Sequence, residues 1–377
     1  MGKVCSVLSG RPAPADICAV IKEAEHRAEE WGLLGLGDSR DVSPKAAKQE
    51  PLTGARRSLL IGCNYAGTSN ELHGCANDVR RMIPVLAKLG FPSDGGSQKV
   101  LLDEEGVEGP KPTHANMLEG LDWLVAEAQP GDALLLHYSG HGGREPAEEG
   151  GYHETLVPLD FETAGMLRDT ELFERLVKRL PEGCRLTCIL DSCHSAGALN
   201  LPYIFVGTEE ELRKAVAGEA VRMALAMRWK SDLEKWRQGS SKELFGDVSS
   251  LGKNLWKMYQ DGQSGYVTDK ETTKGVAVGE VVAITGCRSD QTSADVGDVS
   301  TFGLKQVSGS AGGALTSALV EALEGQEELT YAELLERIRQ ELARKGFSQV
   351  PQFVCSLLVE LKQPFKLDSI FVEDGEQ

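Results

Sequence analysis

From about residue 57 onward, short apolar runs alternate with amphipathic stretches. Arg57–Cys63 is a compact apolar run of the kind buried on both faces of a sheet. Asn77–Leu89 carries Val79, Met82, Ile83, Leu86 and Leu89 on one helical stripe, with Pro84 expected to kink the helix or move its start. Lys99–Asp103 reads as a second strand. Thr113 is a candidate N-cap for a helix holding Met117, Leu118, Leu121 and Leu124, which ends before Pro130-Gly131. Asp132–Tyr138 is a third strand and Arg185–Leu190 a fourth. Between them a helix opens at Asp169 with Leu172, Phe173, Leu176 and Leu180 on one face. Downstream, Glu280–Cys287 and Gln352–Leu358 read as strands around two helices, 312–324 and 330–345. The alternation predicts an α/β fold, a mostly parallel sheet with helices on both faces. In such sheets ligands gather at the carboxyl ends of strands.

Two regions break the alternation. Residues 1–56 read as a separate N-terminal region, with a short helix over 16–31 and a linker over 35–56 rich in Gly, Pro, Lys and Asp. Residues 206–275 are mixed-charge, carry Trp229, Trp236 and Trp256, and read as an insertion. The expected division is 1–56, 57–205, 206–275 and 276–377, with 57–205 and 276–377 forming one sheet. The stretch 145–151 reads as an acidic loop.

Composition narrows the function classes. The 377 residues carry 40 Lys and Arg against 57 Asp and Glu, a net charge of −17. That balance argues against nucleic acid as a partner, because such binding rests on phosphate neutralisation by basic side chains. Mean hydropathy is −0.24, and no apolar run approaches the roughly 18 residues of a spanning helix. No secretory leader is expected at residues 1–14. Nine cysteines without small-domain spacing suit reduced thiols in a cytoplasmic protein. Met1-Gly2-Lys-Val-Cys5-Ser6 fits an N-myristoylation pattern, with Cys5 open to palmitoylation, so peripheral membrane association is a further expectation.

The chemistry sits at two strand ends. Leu136-His-Tyr-Ser-Gly-His141-Gly-Gly and Ile189-Leu-Asp191-Ser-Cys193-His-Ser each run from an apolar strand into a small-residue turn. A thiol with a pKa of about 8.5 is mostly protonated at neutral pH, so a nucleophilic cysteine needs a base. His141, 52 residues before Cys193, is the candidate; a histidine about 50 residues upstream is the spacing noted for caspases. Gly142 and Cys193 are the candidate oxyanion donors through their backbone N–H groups. His194 adjoins the cysteine, but neighbours along a strand or turn usually point apart.

With these residues the chain resembles the metacaspases, cysteine peptidases of the caspase-like clan, in their type I arrangement. The resemblance is carried by Leu72-His-Gly-Cys75-Ala-Asn-Asp78, Tyr138-Ser-Gly-His-Gly142, Leu156-Val-Pro-Leu-Asp160 and Asp191-Ser-Cys-His-Ser195. Leu201-Pro-Tyr203, Gly286–Asp295, Gly313-Ala314 and Pro351-Gln352 follow in order. It implies a caspase-like three-layer α/β sandwich and cleavage of proteins after Arg or Lys. It implies a His141–Cys193 dyad, with Asp78, Asp191, Ser139 and Cys75 around the pocket for the basic side chain. Paired carboxylates suit a guanidinium, which they bind through charge-assisted hydrogen bonds. The resemblance also implies stimulation by calcium through Asp160 and Asp169. Thr170 and Asn200 stand where further acids are usual, so weakened calcium affinity is expected. Ala196 replaces a customary Gly. A monomer is implied.

Blander readings stand beside these. Asp78 suits a helix cap, and Asp160 and Asp169 suit caps or surface acids. His137, His141, Cys188 and Cys193 have loose spacing for zinc and lack a paired C-x-x-C. A caspase-like scaffold acting by binding, in quality control, is the rival function; the intact dyad and pocket acids favour the enzyme.

Overall fold

The computed structural model describes residues 47–104, 106–148, 152–193, 197–205, 266–268, 277–286, 295–296, 312–325, 328–347, 349–357, 359 and 361–373. The expected 16–31 helix, most of the insertion, Gly2 and Cys5 lie outside them. By its contacts the chain divides into two units, Met1–Ser43 with Val206–Thr268, and Pro44–Phe205 with Asp269–Gln377. Of the first, only the strand Tyr266–Thr268 is described. All that follows concerns the second.

In chain order its elements are β1 (Ala47–Pro51), β2 (Arg56–Gly62), α1 (Cys75–Lys88), β3 (Gln98–Leu102), α2 (His114–Val125), β4 (Ala133–Ser139), β5 (Gly142–Pro146) and β6 (Tyr152–Leu156). Next come α3 (Phe161–Ala164), β7 (Leu167–Arg168), α4 (Asp169–Leu172), β8 (Arg185–Asp191), β9 (Tyr203–Phe205) and β10 (Glu280–Thr285). The last are β11 (Asp295–Val296), β12 (Gly312–Gly313), α5 (Ala314–Glu324), α6 (Tyr331–Arg344), β13 (Gln352–Cys355) and β14 (Ser369–Glu373). The main sheet runs β9-β13-β10-β8-β4-β2-β3. Strands β3, β2, β4, β8 and β10 are parallel, and β13 and β9 add antiparallel. Every residue of β4 and β8 is buried, as expected of central strands covered on both faces.

Side-chain alternation builds the two outer layers. On one face Leu59, Ile61, Leu134, Leu136, Leu186 and Leu190 pack with Met117, Leu121 and Leu124 of α2 and with Leu172 and Leu176. On the other face His137 meets Thr316 of α5. The expected elements therefore form, with local differences. Pro84 stays inside α1, which runs unbroken from Cys75. The helix that opens at Asp169 widens at Phe173–Val177, where Lys178 N–H donates to Phe173 O. Residues 47–51, read from composition as linker, form β1 and pair antiparallel with β14. The start of the acidic stretch 145–151 belongs to β5, which joins β6 and β7 in a small antiparallel sheet.

One buried ion pair ties the first strands to the last. Arg185 and Glu280 open the neighbouring strands β8 and β10, with Arg185 Nη1 2.5 Å from Glu280 Oε1. The guanidinium also donates to Ser369 O at 3.2 Å and lies over the Tyr331 ring.

Candidate active site

The carboxyl ends of three strands align, Gly62 beside Ser139 and Ser139 beside Asp191. Just past them come His141, after β4, and Cys193, after β8. Both are half-buried. Gly142 brings the two ends together. A Cβ there would overlap Cys193 O and stand 3.2 Å from Cys193 N, so only glycine permits this approach. His141 pairs with Val157 through Val157 N–H donating to His141 O. The alternation of an antiparallel ladder then makes Gly142 and Leu156 a non-hydrogen-bonded pair, with the Gly142 N–H directed away from β6. The His141 ring has its Nε2 2.8 Å from Asn70 O. A carbonyl only accepts, so Nε2 carries the proton and Nδ1 keeps a lone pair.

Two acids join this group of strand ends. Asp78 is fully buried on the first turn of α1, and Asp191 is 4% exposed at the end of β8. Ser139 Oγ donates to Asp78 Oδ2 at 2.7 Å, and Gly313 N–H donates to the same oxygen at 2.8 Å. Thr316 N–H donates to Asp191 Oδ2 at 2.7 Å. The N-terminal end of α5 thus bridges the two carboxylates. Burial, and then the charge of Asp191, push the Asp78 carboxyl well above its ordinary range. Buried Arg81 offsets part of this, with Nη1 3.4 Å from Asp78 Oδ1. Gly74, not Asp78, caps α1, so the capping reading of Asp78 does not hold. Cys75, three residues before Asp78 at the start of α1, is buried. His137 is neutral, its pKa pushed down to about 3 by burial, and its Nε2 lies 3.2 Å from Thr316 Oγ1.

A family model described as metacaspase, peptidase C14 domain, matches residues 56–202. The chain is 37% identical to Metacaspase-1 of Mycosarcoma maydis over 85% of its own length and 74% of that protein. It is 36% identical to Metacaspase-1 of Schizosaccharomyces pombe over 80% of its length and 68% of that protein. For Metacaspase-5 of Trypanosoma cruzi the identity is 36%, over 87% and 63%. The chain belongs to the metacaspase family. It is a cysteine peptidase of the C14 family with a caspase-like fold.

In this metacaspase the expected calcium acids have protein partners. Asp160 Oδ1 accepts the His114 N–H at 2.7 Å and so caps α2 across the loop. Asp169 Oδ1 accepts the Thr170 N–H and lies 2.8 Å from His153 Nδ1. Among the described residues no three His, Cys, Asp or Glu side chains gather as a metal cluster. Asp160, Asp169, Thr170 and Asn200 offer oxygen donors of the kind calcium takes, with one oxygen of each acid already accepting a backbone N–H. Among the described residues no zinc group surrounds His137 and Cys188.

Sequence reasoning left out several residues of this site. Arg81 was detectable as the residue three positions after Asp78 on one helix face. Asn70 acts through a backbone carbonyl and has no side-chain signature. Thr316 and Gly313 reach the acids through N–H groups supplied 125 and 235 residues away, a distance that no local pattern encodes. Buried Glu154 accepts the Gly197 N–H at 2.5 Å, tying β6 to the loop after Cys193.

Proposed function

We propose that this metacaspase cleaves protein substrates after Arg or Lys, with Cys193 as nucleophile and His141 as base and acid. The observation that carries the specificity is the pair Asp78 and Asp191, two buried carboxylates bridged by α5 at the strand ends. A guanidinium or ammonium between them gains charge-assisted bonds, whereas an acidic side chain brings no donor and adds a further negative charge. Arg81 neutralises part of Asp78, which leaves room for one cation.

In the reaction His141 Nδ1 takes the thiol proton as Sγ attacks the carbonyl carbon after the basic residue. The Gly142 and Cys193 N–H groups stabilise the developing oxyanion. His141 then gives the proton to the leaving amine, and a thioester remains. Water attacks the thioester, His141 takes its proton, and the acid product and the Cys193 thiol are released. Asn70 O holds the Nε2 proton throughout, keeping Nδ1 free for this traffic.

Calcium enters as a weak stimulant. Asp160 and Asp169, with oxygens of Thr170 and Asn200, would hold it, and its charge would order the surrounding loops. A monomer with no nucleic-acid partner is expected, as is cytoplasmic enzyme held at membranes through acylated Gly2 and Cys5. Mass spectrometry of the natural N-terminus tests the acylation. Asp191→Asn tests the pocket: hydrolysis after Arg should collapse while alkylation of Cys193 by iodoacetamide persists. Undiminished hydrolysis after Arg would remove the pocket assignment.

A further inference from the structure

The loop between β2 and α1 grips His141 at more than its ring nitrogen. Tyr65, 1% exposed, stands with its ring centroid 4.8 Å from that of His141. Its hydroxyl accepts the His141 N–H at 3.1 Å and donates to Val157 O at 2.6 Å. Tyr138 Oη donates to His141 O at 2.7 Å and accepts the Val157 N–H at 3.3 Å. The two hydroxyls lie 3.3 Å apart.

His141 and Val157 are the pair that would extend the β5–β6 ladder by one step. The two phenols flank that step and hold both backbones with hydrogen bonds in each direction. A Cβ on Gly140 would stand 2.6 Å from Tyr138 Oη and 3.2 Å from Tyr65 Oη, so glycine at 140 leaves the space they need. Burial raises both phenols well above their ordinary range, so each hydroxyl keeps the proton it donates. Tyr65 itself has a φ of +53°, a conformation that bulky residues adopt only under constraint. Asp103, at the end of β3, supplies the constraint by accepting the N–H groups of Asn64 and Tyr65.

We infer that Tyr65 and Tyr138 form a bracket that positions His141, fixing the imidazole between Asn70 O and the Cys193 thiol. This rests on the His141–Cys193 dyad proposed above and adds two positioning residues to it. Neither tyrosine touches substrate in this scheme. Their loss therefore acts on the chemical step and on the thiol's ionisation, and leaves substrate affinity in place.

The test compares wild type, Tyr65→Phe, Tyr138→Phe and His141→Ala. Each is alkylated with iodoacetamide across pH, and the Cys193 peptide is followed by mass spectrometry. A paired thiol reacts with a pH midpoint below the free-thiol value of about 8.5, and a thiol without its base reacts near that value. His141→Ala should move the midpoint up to it. Tyr65→Phe keeps the ring and removes only the hydroxyl; it should move the midpoint part of the way. It should also lower kcat by about tenfold to a hundredfold with KM within about twofold. Tyr138→Phe, which loses the bond to the His141 carbonyl rather than to its N–H, should do the same and serves if Tyr65→Phe fails to fold. Midpoint and kcat unchanged in a folded tyrosine variant, while His141→Ala shifts, would overturn the bracket. No shift in His141→Ala itself would overturn the dyad on which it rests.

Discussion

Gly313→Ala adds one methyl group at the point where Asp78 and Asp191, the two acids proposed for the pocket, meet. The backbone there has φ −71° and ψ 144°, which alanine adopts without strain, so the effect is one of space alone. The new Cβ would overlap Asp191 Oδ2 and stand 2.8 Å from Asp78 Oδ2. Both oxygens are already hydrogen-bonded, to Gly313 N–H at 2.8 Å and Thr316 N–H at 2.7 Å, so neither moves without lengthening a bond. Hydrogen bonds to charged groups are worth about 1.5–3 kcal/mol each, and overpacking a tight site costs about 1–3 kcal/mol. Losing the equivalent of one such bond from the bound basic side chain lowers kcat/KM by about tenfold to a hundredfold, at 1.4 kcal/mol per decade. The assay is hydrolysis of an Arg peptide, with Cys193 alkylation and thermal unfolding as controls for the dyad and the fold. A folded Gly313→Ala protein with unchanged kcat/KM would refute the argument that Gly313 sets the spacing of the acids.

Three further outcomes follow from the same geometry. The Asp78 carboxyl, raised above its ordinary 3.8 by burial and by Asp191, keeps a proton in the folded chain that the unfolded chain releases. Stability should therefore fall as pH rises from about 4 towards 7, and fall less in Asp78→Asn; equal slopes of melting temperature against pH would contradict this. Glu280→Ala leaves the fully buried Arg185 without its carboxylate and should cost about 3–5 kcal/mol in denaturant unfolding, whereas a loss under about 1 kcal/mol would show the pair to be dispensable. Calorimetric titration with calcium should give a dissociation constant weaker than about 10 µM, since Asp160 and Asp169 are already engaged; tighter binding would overturn the weak-site reading.

Much of the fold is legible because it rests on local pattern. The apolar runs of β2, β4 and β8 announce buried parallel strands, and the stripe Met117, Leu121, Leu124 announces α2. Thr113 caps that helix as its position suggests, with its side chain accepting the Asn116 N–H. The pairing of β1 with β14 is hidden because Ala-Lys-Gln-Glu-Pro has no strand signature and its partner lies at the far end of the chain. In the candidate site, His141 and Cys193 stand out as reactive side chains past strand ends, and Asp78 and Asp191 through the motifs that carry the resemblance. The groups that set their geometry do not: a carbonyl at Asn70, N–H groups at Gly313 and Thr316, and two tyrosines that look like ordinary core. Backbone donors and acceptors exist at nearly every residue, so only the fold reveals which ones are used.

The central claim is a thiol peptidase with a pocket for a basic side chain, and it is tested most directly by matched fluorogenic peptides ending in Arg, Lys or Asp. Each is assayed with calcium and with chelator, beside Cys193→Ala. The account predicts release after Arg and Lys only, raised by calcium at high concentration and absent from Cys193→Ala. Release after Asp, or release that survives Cys193→Ala, would contradict it.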